Sequence, residues 1–509
     1  MDRRSFLKAS AFTTASILAW PATSLRANAD GEKILHLGYS SEVLTLDPIK
    51  TVYGPDIIIQ GMMFARLLQA NADRTKIGPG LAESWEISED GKTYTFHLAD
   101  AKFSDGSPIT AEDAAWNLLR IRDHKESAWG PSYAVIKDAK AADDKTLVIT
   151  LNQPTAPFLA WLAMPSLGIA QKKQIEANEA VFNENPVSSG PFVLKEWRKG
   201  ERLTLEKNPN YWQADQVSLD GVEWVSVPDD NTRMLNVQAG ELDCAIFVPF
   251  SQIETLKQDT NLNVMLDPSS REDHIIVNSA HGDLGKVEVR QALDMAIDKQ
   301  ALVDTITFGA GTVSNSIIPK GGLYHNPDNP THAYDPEAAK KLLEKAGVKD
   351  LTLNYVVQAG DEVNEQTAVL VQQQLAAIGV TVNINKVDAS QFVTTLVEGN
   401  YDLGEVYWTN DIIDPDEKIT FALGHDSNNN FWTNYKNDEV KDLVAKARVE
   451  TDPAKRQQMY YDLQRIARNE VSLIDLYYSP FRNVCSKKIE GFVQGPLGLF
   501  SFQNVKKGS

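Results

Sequence analysis

Leu351-Thr352-Leu353-Asn354-Tyr355-Val356-Val357-Gln358-Ala359-Gly360-Asp361-Glu362-Val363, with its continuation to Val387, decides the fold class. Residues 351–357 read as a strand. Residues 363–378 carry a helical run that stops at Gly379, and Thr381–Val387 follows at once as another strand. Strand, helix and strand in such close succession argue for an α/β architecture rather than an all-β one. Outward from this stretch the alternation continues. Further strand-like runs lie at Ile34–Tyr39, Thr93–Leu98, Thr146–Leu151 and residues 203–206, 222–227, 245–248 and 274–278. Thr110-Ala111-Glu112-Asp113 resembles a capping box that opens a helix through Trp116 and Leu119. Asp335-Pro336 sets an acid at the N-cap and proline at the first helical position, and Gly347 suits the end of that helix. Asp452-Pro453 predicts a helix running to about Arg468. A chain of 509 residues is too long for one core. No repeat, low-complexity tract or flexible linker divides it, so the chain has to cross between domains on short strands, which make a natural hinge.

The composition, 42% hydrophobic and 23% charged, is that of a globular protein. The net charge of −19 divides unevenly: residues 1–29 carry four basic side chains against Asp2, a net +3, which leaves −22 from residue 30 onward. Nucleic acid and anionic membrane surfaces are therefore not expected partners. The N-terminus reads as an export signal over residues 1–29. Arg3-Arg4 precede Phe6-Leu7-Lys8, a mildly apolar stretch follows to Trp20, and Ala27-Asn28-Ala29 offers a cleavage site. Arg26 beside that site suits the twin-arginine route, and the destination is a periplasm. No cysteine lies near residue 30 for lipid attachment, so no direct membrane anchor is expected. Cys244 and Cys485, the only two cysteines, both sit in strand-like surroundings. They suit either one disulfide in an oxidising compartment or two buried thiols.

Searches for catalytic chemistry return nothing. No HExxH occurs among the eight histidines, and Gly130-Pro131-Ser132-Tyr133-Ala134 fails the nucleophile-elbow pattern at its last position. Asp411, Asp414, Asp416 and Glu417 lack the spacing and central glycine of a calcium loop. No catalytic residue, metal site or cofactor is expected, and the chain reads as a binder rather than an enzyme.

The binding reading centres on Tyr401-Asp402-Leu403-Gly404-Glu405-Val406-Tyr407-Trp408-Thr409-Asn410-Asp411-Ile412-Ile413-Asp414-Pro415. A strand here ends in a tryptophan and then an aspartate. A carboxylate can pair an ammonium group while an indole covers it from water. Acids near a proline also form turns, so Asp411 or Asp414 has a capping role as its alternative.

Several blocks, in this order and spacing, resemble the solute-binding proteins of peptide and nickel ABC importers. They are Ala82-Glu83-Ser84-Trp85, Asp90-Gly91-Lys92-Thr93-Tyr94-Thr95-Phe96, and Lys102-Phe103-Ser104-Asp105-Gly106-Ser107-Pro108-Ile109-Thr110-Ala111-Glu112-Asp113. Ser188-Ser189-Gly190-Pro191-Phe192, Asn208-Pro209-Asn210-Tyr211-Trp212, Ala239-Gly240-Glu241-Leu242-Asp243 and the block 289–299 follow. Most of these blocks read as structural: Phe103 to Pro108 as a turn, Arg290 as an ion pair or carbonyl clamp, Tyr211-Trp212 as core. The resemblance implies a two-lobed periplasmic binding protein of α/β class that closes like a flytrap, with an extra subdomain in the first lobe. Lobe one would span residues 33–272 plus 484–509 and lobe two residues 273–483. It also implies a monomer that delivers a peptide or peptide-like, amine-bearing solute to the membrane subunits of an ABC permease. In peptide-binding members an aspartate three residues after a strand-end tryptophan anchors the ligand's α-amino group, and Trp408 and Asp411 match that pair. The backbone of Tyr407, Trp408 and Thr409 would pair with the ligand as an added strand. Tyr53 and Gly54 correspond to the opposite clamp, and Trp129 and Tyr133 to an aromatic wall. One departure stands out. Dipeptide binders carry an arginine ahead of the helix at 363–378 for the ligand's carboxylate, whereas residues 357–362 here contain none. An opine, a sugar conjugate or a metal chelate on the same scaffold is the alternative ligand, and a secreted hydrolase is the remote alternative function.

Overall fold

Hydrophobic runs covered on both faces build the two main sheets of this computed structural model, which describes residues 32–71, 76–424, 428–500 and 502–508. The predicted export signal lies outside the described residues. The first sheet has seven strands, ordered Leu262–Asp267, Phe481–Ser486, Cys244–Ile246, Ile34–Tyr39, Gly221–Ser226, Arg202–Lys207 and Phe192–Arg198. The second has six, ordered Thr312–Val313, Ile474–Tyr478, Glu272–Val277, Leu403–Trp408, Thr352–Gln358 and Thr381–Val387. A separate four-stranded antiparallel sheet, Ala82–Ile87, Thr93–Leu98, Thr146–Leu151 and Ile136–Asp143, forms the extra subdomain. The molecule is two-lobed, each lobe centred on one of the main sheets.

Period-two alternation explains how the second sheet is buried on both sides. Ile275 and Val277 point into one buried cluster with Tyr355, Val357 and Leu403, while Ile276 and Val356 point into another. Between them Gly404 is held to glycine by packing, because a Cβ there would lie 3.3 Å from both Ile276 and Val356 side chains. Thr352–Gln358, the helix Glu362–Ala376 and Thr381–Val387 form the expected strand–helix–strand unit, with the two strands parallel. Gly379 turns the chain between helix and strand at φ +85°.

The local signals behave as their chemistry requires. Thr110 accepts from the Asp113 amide and the Asp113 carboxylate accepts from the Thr110 amide, a complete capping box on the helix Ala111–Asp123. Asp335 and Asp452 cap the helices Pro336–Lys345 and Pro453–Glu470. Arg290 is a carbonyl clamp, donating to the backbone oxygens of Leu284, Gly285, Glu470 and Val471. Phe103 is buried beneath the turn that bends at Gly106. Cys244 and Cys485 face each other on neighbouring antiparallel strands and are joined as a disulfide.

The chain changes sheet twice: between Leu262–Asp267 and Glu272–Val277, and between Ile474–Tyr478 and Phe481–Ser486. The two crossings touch, since the Ser269 hydroxyl donates to the Ser479 carbonyl. The lobes also meet away from the crossings. Ile412, from the loop after Leu403–Trp408, is buried among first-lobe side chains, and the Ala156 amide donates to the Arg448 carbonyl at 2.9 Å.

Candidate functional site: a strand end with an unneutralised acid pair

The strand Leu403–Trp408 lies in the middle of the second sheet, yet its partners fall away toward its end. On one side it pairs along its length with Glu272–Val277; on the other only Leu403 and Gly404 pair with Thr352–Gln358. One backbone edge of residues 405–408 is therefore left outside the ladder. Tyr407 is 49% exposed, and Trp408 packs against Phe421 and Phe431 at 5.4 and 4.9 Å between ring centroids. The indole Nε1 of Trp408 is buried with no hydrogen-bond partner among the described residues. The Thr409 methyl lies 3.8 Å from the position a Cβ on Gly498 would take.

Four acids follow within seven residues of one another, and the structure separates their roles. Asp414 takes two hydrogen bonds from the Arg456 guanidinium, at 2.6 and 2.8 Å, and accepts the Asp416 amide. Asp416 is paired with Arg448 at 3.0 Å. Asp414 is thus the turn former, fixed and neutralised. Asp411, half-buried, forms no salt bridge among the described residues. Its neighbour is another acid, Glu417 on the helix Asp416–Leu423, whose carboxylate accepts the Asp411 and Ile412 amides at 3.0 and 3.3 Å. Burial, then the adjacent Asp411 charge, pushes Glu417 well above the usual carboxylate range. Burial also raises Asp411, against a hydrogen bond from Glu417 that lowers it. Two carboxyls this close, with no basic side chain bonded to either among the described residues, are stabilised by an added positive charge.

The first lobe supplies the facing surface. Tyr133, fully buried, donates its hydroxyl to the Trp161 carbonyl at 2.8 Å and senses the charges of Glu417 and Asp411. Tyr53 caps the helix Gly54–Met63, and burial raises its phenol, with a smaller push from the nearby Tyr407. The loop ahead of this helix is held rigidly: the Thr51 hydroxyl donates to Asp56 at 2.8 Å and accepts the Tyr53 amide at 2.9 Å. Trp129 is buried, and its indole donates to the Thr51 carbonyl at 2.8 Å. That contact makes it a brace for the Tyr53–Gly54 turn. Tyr39 stacks on Trp224 at 4.6 Å, and a Cβ on Gly54 would meet the Tyr39 hydroxyl at 4.0 Å.

The structure places Tyr407 and Trp408 at the end of one strand, Asp411 just past it and Tyr53 on the first lobe near Tyr407, and adds Glu417, which the sequence offered only as a failed calcium ligand. The available signal was its position in the first turn of a helix that starts five residues after Asp411. The strand edge and acid pair lie apart from a cavity of about 210 Å³ in the first lobe, lined by Arg66, Tyr211, Trp212 and Phe500. That cavity includes none of the predicted ligand residues. Among the described residues no three His, Cys, Asp or Glu side chains are grouped to hold a metal ion, and no helix is long and apolar enough to cross a membrane.

Two lobes around paired sheets, joined by two short crossings and facing one another across a strand end, define a class of solute-capturing proteins. The model for bacterial extracellular solute-binding proteins, family 5, matches residues 76–430, and the chain belongs to that family. It is 30% identical over 493 residues to the probable D,D-dipeptide-binding periplasmic protein DdpA of Escherichia coli K12, covering 93% of this chain and 94% of that one. Di/tripeptide-binding protein 1 of Pseudomonas aeruginosa UCBPP-PA14 is 30% identical over 498 residues, covering 91% of this chain and 92% of that protein. Among solved structures, the periplasmic binding protein DppA of Helicobacter pylori in complex with the peptide STSA superposes with a TM-score of 0.85 at 26% identity, covering 94% of this chain and 98% of that one. The protein is accordingly a solute-binding component of an ABC importer, in a family of binding proteins rather than enzymes.

Proposed function

We propose that this protein captures a short peptide, or a peptide-like solute bearing a free amine, between its lobes in the periplasm and delivers it to a membrane permease. The observation that carries this reading is the Asp411–Glu417 pair, two acids at the end of a partly unpaired strand with no basic side chain bonded to either among the described residues. The ligand's ammonium group pairs with Asp411. Its backbone adds to the free edge at Tyr407, Trp408 and Thr409, while Tyr53 and Gly54, braced by Trp129, close over it from the first lobe. The names of relatives that bind dipeptides and tripeptides support the same ligand class.

The hinge is the pair of crossings. We draw the first boundary at residue 272 and the second at residue 480, because Phe481–Ser486 belongs to the first sheet. Residues 1–29 act as a twin-arginine signal peptide, and the exported protein works as a monomer without a membrane anchor. Native mass spectrometry of residues 30–509, purified gently and then denatured to release its cargo, tests the reading. A ladder of short peptides is the expected result. A single non-peptide mass would redirect the scaffold to an opine, sugar conjugate or metal chelate.

A further inference from the structure

The sequence offers no arginine at 357–362 for a ligand carboxylate, but the crossings between the lobes bring two arginines together elsewhere. Arg271 ends the first crossing. Its guanidinium lies 3.7 Å from the centroid of the Tyr407 ring, on the same strand end that carries Trp408. Its Nε and Nη2 bond to Asp273 at 2.6–3.2 Å, and Nη1 makes no hydrogen bond to any described residue. Arg482 lies two residues past the second crossing. It is 7% exposed, its Nε donates to the Val248 carbonyl at 2.9 Å, and its guanidinium stacks 3.7 Å from the Phe250 ring. Its Nη1 is buried with no partner, and it forms no salt bridge among the described residues.

Asp361 lies within electrostatic reach of Arg271, but neither guanidinium is bonded to it among the described residues. Asp273 is the one carboxylate bonded to Arg271, and its other demand is met by the Ser479 hydroxyl at 2.6 Å. Glu405, in the same polar cluster, is a poor counter-ion, because burial and then Asp273 and Asp361 push it well above the usual carboxylate range. Arg482 is pushed down to about 10, first by burial and then by the neighbouring Arg271 charge, against the pull of Asp273. A buried guanidinium with an orphaned N–H is costly unless an anion reaches it.

We propose that Arg271 and Arg482 form the anion-binding end of the ligand cleft and take the free carboxylate of a zwitterionic ligand two or three residues long. This rests on the reading of Asp411 as the ammonium site. Tyr407, under Arg271, and Asp411 are four residues apart, at most about 13 Å along an extended chain. With a charge-assisted contact of about 2.8 Å at each end, a backbone separation of that order suits a dipeptide or tripeptide. Arg271 holds the carboxylate from the Tyr407 side, and Arg482 offers it the buried Nη1 that has no other partner.

The test uses the exported form of the protein, stripped of cargo by unfolding and refolding. A defined pool of dipeptides and tripeptides is offered with free termini, as C-terminal amides, and as N-acetyl derivatives, with binding followed by native mass spectrometry and calorimetry. The expected result is that amidation weakens binding on the order of 100-fold, and that Arg482→Gln weakens the free acids while leaving the amides unchanged. Amides that bind as tightly as free acids, while N-acetyl derivatives fail, would overturn the carboxylate site and leave the Asp411 reading intact. N-acetyl derivatives that bind as well as free peptides would remove the Asp411 anchor and this proposal with it, as would a pool that does not bind at all. The amide comparison is made on the wild-type protein, so it stands even if the Arg482 variant does not fold.

Discussion

Asp414 and Asp411 occupy one loop, and the fold treats them in opposite ways. Asp414, with Asp416 beside it, is surrounded by Arg456 and Arg448, and nearby Lys418 reaches Glu272 at 2.9 Å in the interior. Asp411 and Glu417 are bonded, among the described residues, to backbone amides and to one another and to no basic side chain. Burial is similar in kind at both places; neutralisation is not. The acids that fix the loop are saturated from within the chain, whereas the Asp411–Glu417 pair is held in place without a counter-charge among the described residues.

The sharpest way to break this comparison is to remove the structural partner. Arg456→Met leaves Asp414 buried and uncompensated, and should cost about 3–5 kcal/mol of stability in urea denaturation. The folded fraction should keep its ligand affinity. An equal loss of stability from Asp411→Asn would mean that the two acids do the same job. Asp411→Asn is instead expected to lower affinity by about 3 kcal/mol, roughly two decades by calorimetry, with stability at neutral pH unchanged or raised. A change below about threefold would take Asp411 out of the site.

Acidity sharpens the comparison further. Glu417 is raised well above its ordinary value by burial and by Asp411, so the folded chain retains a proton that the unfolded chain has lost. Its contribution therefore favours the ligand-free fold at low pH, and stability falls as pH rises above about 4.3, the unfolded carboxyl value, toward the folded one. Glu417→Gln should flatten the pH dependence of the melting temperature. Asp475, raised to about 6 by burial and by Glu272, acts in the same direction and should supply slope that survives in that variant. A cationic ligand favours the ionised pair, so affinity should rise with pH, and calorimetry in buffers of different ionisation enthalpy should detect proton release on binding. The smallest effect belongs to an ordinary surface pair. Lys386→Ala breaks an exposed contact with Glu365, at 2.6 Å, and should change stability by less than about 1 kcal/mol without touching affinity.

The fold was legible where a local rule carries the information. Caps at Thr110, Asp335 and Asp452 and the glycine at 379 act within a few residues, and the structure places each as its chemistry demands. The strand that ends at Trp408 was legible too, because a strand-like run there gives way to a turn. Glu417 was not, since its meaning comes from a helix folding back on the preceding loop. Arg271 and Arg482 were still less visible. They are 211 residues apart in the numbering, and only the adjacent crossings bring their charges together. Tyr133 illustrates the remaining difficulty: an aromatic read as a wall for the ligand is buried, and faces the acid pair with its hydroxyl already committed to Trp161.

The bond between Cys244 and Cys485 also has a mechanical meaning. It spans a sequence separation of 241 residues, and both crossings and the whole second sheet lie inside the covalent ring it closes. A force applied to the two ends of the oxidised chain would run through residues up to Cys244, across the sulfurs and out through the C-terminal segment. The hinge and the second lobe would bear none of that load. Tension could unravel the first lobe's outer strands while the second lobe stayed folded in its ring, and a reductant would let the pull reach the hinge.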